Sequence, residues 1–256
     1  MYGKIKSIQK TDGSSLLYKY DASGNRVCKI HTKGSAVIKT WYVRDAQGNV
    51  LAVYEQEGNS PLKWKEQHLY GSSRLGVWNV DIDANTTDIE TPWYTSVKRY
   101  YELTNHLGNV LATVADDGNV LSASDYYPFG MPQRGRGHDF KAYRYGFNGK
   151  ENDGEVKGDG IQYDYGFRIY DARLARFLST DPLFQSYPWY TPYQFAGNKP
   201  IVAIDLDGLE EFVKTDWHDA TGKVYPGAFS PAGRSDEGDG IRNLSEYAKE
   251  RLKNID

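Results

Sequence analysis

Apolar and polar positions alternate in short runs along the first half of the chain, and the runs break at Gly-Asn. "YKYDASGNRVCKI" (18–30) is answered by "YVRDAQGNVLAVY" (42–54), then by "YYELTNHLGNVLATV" (100–114) and "ADDGNVLSASDYY" (115–127). Each copy has an aromatic strand, a polar turn and a second apolar strand, the pattern of a β-hairpin. Asp21 and Asp45 stand where a side chain can bond its own backbone at the start of the turn. Gly24, Gly48, Gly108 and Gly118 stand where the turn requires positive φ. In "NVLAVY", Val50, Ala52 and Tyr54 fall on one face and Leu51 and Val53 on the other, so both faces are apolar and the sheet is expected to be at least partly covered on both sides. "HLYGSSRLGVWNV" (68–80) reads as another strand–turn–strand unit at Gly71. The uneven spacing argues against a propeller of equal blades.

The second half changes texture. Residues 128–150, with "PFGMPQRGRGHDF", read as a loop, and "KENDGEVKGDG" (150–160) as a polar turn region. Residues 161–209 are dense again. "QYDYGFRIYD" alternates as a strand, "ARLARFL" fits a turn of helix or a bent strand, and Tyr187, Trp189 and Tyr190 in "YPWYTPYQF" are expected to pack into a core. Beyond Leu209 the chain turns linker-like, and 241–256 carries Ile241, Leu244, Tyr247, Ala248 and Leu252 on one helical face. The expected fold is all-β: an antiparallel hairpin sheet over 1–130, an irregular β core over 131–209, and a C-terminal tail, partly helical, over 210–256.

Composition agrees with this pattern. The chain has 256 residues with 21 Tyr and 26 Gly, which favours many short strands and tight turns over a helical bundle. The net charge of −3 offers no global field for nucleic acid or an anionic membrane, and the arginines near 134–144 lack interleaved aromatics. Cys28 is the single cysteine, so neither an intrachain disulfide nor a thiolate metal cluster is expected. No apolar stretch reads as a signal peptide or a membrane span. The five histidines, His31, His68, His106, His138 and His218, are scattered without a zinc pattern. "DLDG" echoes a calcium loop. With Asp205 and Asp207 at loop positions three and five, however, positions one and twelve become Ala203 and Lys214, which supply no carboxylate. No metal or cofactor is expected.

The stretches "YDYGFRIYDARLARFLSTDP" and "YQFAGNKPIVAIDLDGL", with "LTNHLGNVLATV" and "YYPFG" upstream, resemble the Rhs repeat-associated core domain. The Gly-Asn hairpins before them resemble the YD repeats of the same family, and the wording is similar to Bacteroidetes-type chains. The resemblance runs from about residue 15 to 210. It implies that YD repeats form a β-sheet curled into a hollow shell, that the core plugs one end, and that a variable C-terminal region, often a toxin, lies inside. Family members include polymorphic toxins deployed between bacteria and the C component of Tc insecticidal toxins. Export or cell-surface display of the full-length protein is implied, as are partners such as the chain's own C-terminal segment or toxin, an immunity protein, and further shell or secretion components.

In several members of this family the core cuts its own chain after the leucine of a DPxGL motif. The matching residues here are Asp205–Leu209, with Leu206 where the pattern commonly has Pro, so the implied scissile bond joins Leu209 to Glu210. The implied chemistry is a single-turnover aspartic-type autoproteolysis, in which two nearby carboxylates divide acid and base roles. Asp181 and Arg176 match the family's core aspartate and arginine. Asp171, Asp205 and Asp207 all qualify as the second carboxylate, and Asp207 is preferred for its place in the motif. The bland alternatives are a structural ion pair for Arg176 and turn initiation by Asp181. The rival function is a non-catalytic interaction or glycan-binding β-protein, or a degenerate remnant, with no cleavage.

Overall fold

A computed structural model describes residues 4–87, 93–94, 98–138, 143–209, 211–218 and 224–231. Eleven antiparallel strands form one sheet in sequence order. They are β1 (Ser7–Gln9), β2 (Ser15–Tyr20), β3 (Arg26–Lys33), β4 (Ala36–Arg44), β5 (Val50–Glu57), β6 (Lys63–Tyr70), β7 (Arg74–Asp83), β8 (Arg99–Thr104), β9 (Val110–Ala115), β10 (Val120–Tyr126) and β11 (Pro132–His138). A four-stranded antiparallel sheet follows, with β12 (Glu151–Asn152), β13 (Gln162–Asp164), β14 (Ile169–Asp171) and β15 (Arg176–Phe177). The third sheet holds β16 (Ala203–Asp205), β17 (Glu211–His218) and β18 (Val224–Pro231).

The first three repeats close their turns by one local device, a side chain that accepts the amide four residues on, and the fourth closes its own from two residues back. The Asn25 amide N–H donates to Asp21 Oδ1 at 2.8 Å and its side chain donates to Asp21 Oδ2 at 3.0 Å. Asn49 does the same with Asp45, at 2.8 Å in both bonds. Asn109 and Asn119 donate their amides to Asn105 and Asp117. Gly48 sits at φ +91°, and a Cβ there would lie 2.8 Å from Asn25 Oδ1 of the neighbouring hairpin tip. Glycine is therefore required both by the turn and by the close stacking of adjacent repeats.

Residues 132–138 were expected in a loop and instead form β11, paired with β10 through Ala123↔His138 and Ser124↔Gly137. The strand is mostly exposed, and a Cβ on Gly137 would stand 2.9 Å from the Ala123 carbonyl oxygen. Gly and Arg obscure the strand pattern because this is a solvent-facing edge, where charge and a bulge discourage further pairing. "QYDYGFRIYD" is a hairpin, β13 to β14 turning at Gly166, rather than one strand. "ARLARFL" is a tight turn leading into β15, with Ala175 at φ 55°. The expected helix over 241–256 lies outside the described residues.

The core around the second sheet is aromatic. Phe147, Tyr163, Tyr165, Tyr170, Phe177 and Phe195 are buried together, with the Tyr170 and Phe195 ring centroids 4.2 Å apart. Tyr187, Trp189 and Tyr190 do not join it. Trp189 is 71% exposed and meets the other two edge-on. Tyr187 packs instead against Leu183 and Leu209, so the packing expectation holds for Tyr187 and fails for Trp189.

The core seats on the large sheet through buried charge. Arg26, 1% exposed, reaches Glu151 and Asp153 at 2.8 Å each and Asp164 at 3.2 Å. Lys29 meets Glu155 at 2.8 Å, and Tyr42 donates its hydroxyl to Glu151 at 2.8 Å. Arg144 meets Glu66 at 2.8 Å and Glu55 at 3.0 Å. Burial alone would raise the Glu151 carboxyl, but Arg26, Lys29 and Arg144 outweigh it and hold it well below the usual range. Buried charges are tolerated here because each has a partner across the junction.

Candidate functional site

The matched motif forms the turn that follows β16. Asp205 ends that strand, fully buried, and its Oδ1 accepts the Gly208 amide at 2.5 Å. Gly208 has φ +87°, and a Cβ there would lie 2.9 Å from the Arg168 amide nitrogen. The Phe167 amide donates to the Asp207 carbonyl at 2.8 Å, which hooks the β13–β14 turn onto the motif. Leu209 is 1% exposed and packs with Leu183, Phe167 and Tyr187. Its side chain is thus fixed at the residue preceding the implied bond. Glu210 lies outside the described residues.

Arg168, at the start of β14, organises this turn. Its Nε donates to the Gly208 carbonyl oxygen. Its Nη2 lies 3.1 Å from Asp181 Oδ2 and 3.5 Å from Asp205 Oδ2, and its guanidinium stacks 3.8 Å from the Phe177 ring centroid. Asp181 Oδ1 accepts the Leu183 amide at 2.7 Å, which fixes the carboxylate. Burial, with the nearby Asp207 carboxylate, raises Asp205 to about 7 against the opposing pull of Arg168. A carboxyl so raised can hold a proton near neutral pH, which is what a general acid requires.

The expected residues are placed as follows. Asp181 is buried beside the motif. Arg176 is exposed on β15, with its Cα opposite Asp171. The guanidinium that meets Asp181 is that of Arg168. Asp207 is half-buried in the turn, and Asp205 is the motif carboxylate that contacts Arg168. Asp171 is buried, 2.6 Å from Lys157 Nζ, and caps the following turn through the Arg173 and Leu174 amides. Arg168 was missed, although "GFRIYD" carried a signal. An arginine in register with Tyr170 and Ala172 of an alternating strand points inward and needs an anion.

Among the described residues no group of three His, Cys, Asp or Glu side chains is arranged to hold a metal ion, and no helix is long and apolar enough to cross a membrane.

The chain thus joins a hairpin-repeat antiparallel β-sheet to an aromatic core, with an arginine-bridged carboxylate pair beside the motif turn. No protein-family model matches the chain. It is 35% identical over 221 residues to the toxin subunit YenC2 of Yersinia entomophaga, covering 82% of this chain and 21% of that protein. It is 32% identical over 215 residues to salivary gland surface protein 1 of Aedes aegypti, covering 80% of this chain and 6% of that protein. The crystal structure of TcdB2–TccC3 without its hypervariable C-terminal region shares the fold, with a TM-score of 0.59 at 20% identity over 81% of this chain and 10% of that one. The chain therefore spans a small part of the length of these relatives. Together the matches support a relationship to Rhs-related, shell-type toxin proteins.

Proposed function

We propose that this chain is a segment of an Rhs/YD-repeat shell protein whose core cuts the chain after Leu209. The observation that carries the reading is Arg168, which binds Asp181, Asp205 and the Gly208 carbonyl at once. In the proposed reaction water adds to the Leu209 carbonyl carbon and gives a proton to Asp181. Asp205, protonated near pH 7, donates its proton to the Glu210 nitrogen as the carbon–nitrogen bond breaks. Arg168 holds both carboxylates and the preceding peptide, which supports a preorganised site. The products are a carboxylic acid at Leu209 and an amine at Glu210, and the proton passes back between the two aspartates.

In this reading the large sheet is part of a curled wall. The partners are the segment beyond Leu209, the remaining shell strands and the export machinery of a secreted toxin. The test is the intact mass of the freshly purified chain beside Asp205→Asn and Asp181→Asn. Wild type should give fragments ending at Leu209 and starting at Glu210, and both variants should stay whole. A wild-type chain that remains intact between pH 5 and 8 sinks the catalytic reading.

A further inference from the structure

Two half-buried lysines stand beside the motif turn, and the proposed reaction uses neither of them. Lys150, just before β12, donates its ammonium to the Leu206 carbonyl and lies 5.1 Å from the Tyr165 ring centroid. Lys4, just before β1 in the large sheet, donates to the Gly166 carbonyl and lies 4.8 Å from the Phe167 ring centroid. Gly166 and Phe167 form the turn whose Phe167 amide binds the Asp207 carbonyl. Lys150 thus holds the motif turn directly, and Lys4 holds it through the turn hooked onto it. The segment carrying Lys4 is itself fixed to β2, where the Tyr20 hydroxyl donates to the Ile5 carbonyl at 2.8 Å and the Tyr18 amide to the Lys6 carbonyl at 2.9 Å.

Burial works against an ammonium at both places, lowering Lys4 to about 8 and lowering Lys150 from its ordinary value. An apolar side chain would fill the same space without that cost. What it would not supply is a donor for the carbonyl and a positive charge beside the turn. The charged groups facing Lys150 are Asp205 and Asp207 of the turn, Asp164 of β13 and Arg74 of β7. Those facing Lys4 are Asp164, Asp207, Arg44 and Asp21. Leu206, Asp207 and Lys150 border a cleft of about 690 Å³ that is also lined by the repeat turns at Gly24 and Gly48, so the sheet closes one side of the motif.

We infer that Lys150 is the positioning residue of the 205–209 turn and that Lys4 is the sheet's contribution to it, so that the cut after Leu209 depends on the sheet being seated on the core. This inference rests on the self-cleavage reading, which it deepens with a structural condition. Lys150 acts through the backbone and through its field on Asp205. It does not touch the bond that breaks.

The test follows cleavage of the full chain from pH 5 to 9 in wild type, Lys150→Met, Lys150→Arg and Lys4→Met. Lys150→Met should slow cleavage by about 10- to 100-fold. It should also raise the pH midpoint set by Asp205, because losing a nearby cation favours the protonated acid. Lys150→Arg should keep the midpoint near wild type, and Lys4→Met should slow the reaction. A Lys150→Met chain that cleaves at the wild-type rate overturns the inference, as does one that slows with its midpoint unmoved. If wild type never cleaves, the self-cleavage reading fails by itself, and amide exchange in Asp181→Asn chains decides the positioning. Adding Lys150→Met should speed exchange at Gly208 and Phe167 by about tenfold or more while β14 amides stay protected. Unchanged exchange at Gly208, or loss of protection throughout β14, overturns it.

Discussion

Replacing Arg26 by methionine should be among the most destabilising single changes in the chain. The side chain is buried and neutralises three carboxylates, Glu151, Asp153 and Asp164, each within 3.2 Å. Methionine fills much of the volume but leaves those acids short of a counter-charge. Lys29 still reaches Glu151 at 3.5 Å and Asp153 at 3.6 Å, and Arg144 reaches Glu151 at 3.4 Å, so part of the charge remains compensated. Breaking a buried network from one side costs about 3–5 kcal/mol. With a urea dependence of about 2–3 kcal/mol per molar, the unfolding midpoint should fall by about 1–2.5 M. Tyrosine and tryptophan fluorescence across a urea series reads the shift directly. Arg26→Lys should fall between the two, because an ammonium keeps the charge but not the fork that meets three acids at once. A midpoint shift below about 0.3 M for Arg26→Met would refute the claim that this network seats the core on the sheet.

Other outcomes follow from the same geometry. Gly208→Ala must force a side chain into positive φ against the Arg168 backbone, and should cost about 1–3 kcal/mol and abolish cleavage, read by melting temperature and denaturing gel. Glu66 is half-buried, and its desolvation opposes ionisation, but Arg144 wins and lowers it to about 2. Its contribution to stability is therefore present above the ordinary glutamate value and lost as the pH falls toward 2. Acid titration by near-ultraviolet circular dichroism should show that loss, and a signal flat from pH 5 to 2 would contradict it. After cleavage the two pieces should remain together on native gel filtration and part only in denaturant, because β16 and β17 stay paired from Ala203↔Val213 to Asp205↔Glu211.

What was legible in the sequence was local. The Asp21–Asn25 and Asp45–Asn49 turns are closed by residues four positions apart, so motif and contact coincide. The motif turn was legible for the same reason, since Asp205 bonds the Gly208 amide three residues on. The site's arginine was legible only in part, because the alternation in "GFRIYD" turns Arg168 inward while its partner Asp205 lies 37 residues away. The seating of the core was equally hidden, since Arg26 and Asp153 are 127 positions apart. Trp189 reads as core by composition, yet burial is decided by the path of the chain around Pro188 and Pro192, which leaves it outside.

The central claim is tested most directly by sequencing the N-terminus of any small fragment released from the purified wild-type chain in denaturant. Self-cleavage after Leu209 gives a single new N-terminus, Glu210-Glu211-Phe212-Val213, that disappears in Asp205→Asn. A different N-terminus, or the same one persisting in Asp205→Asn, would contradict it.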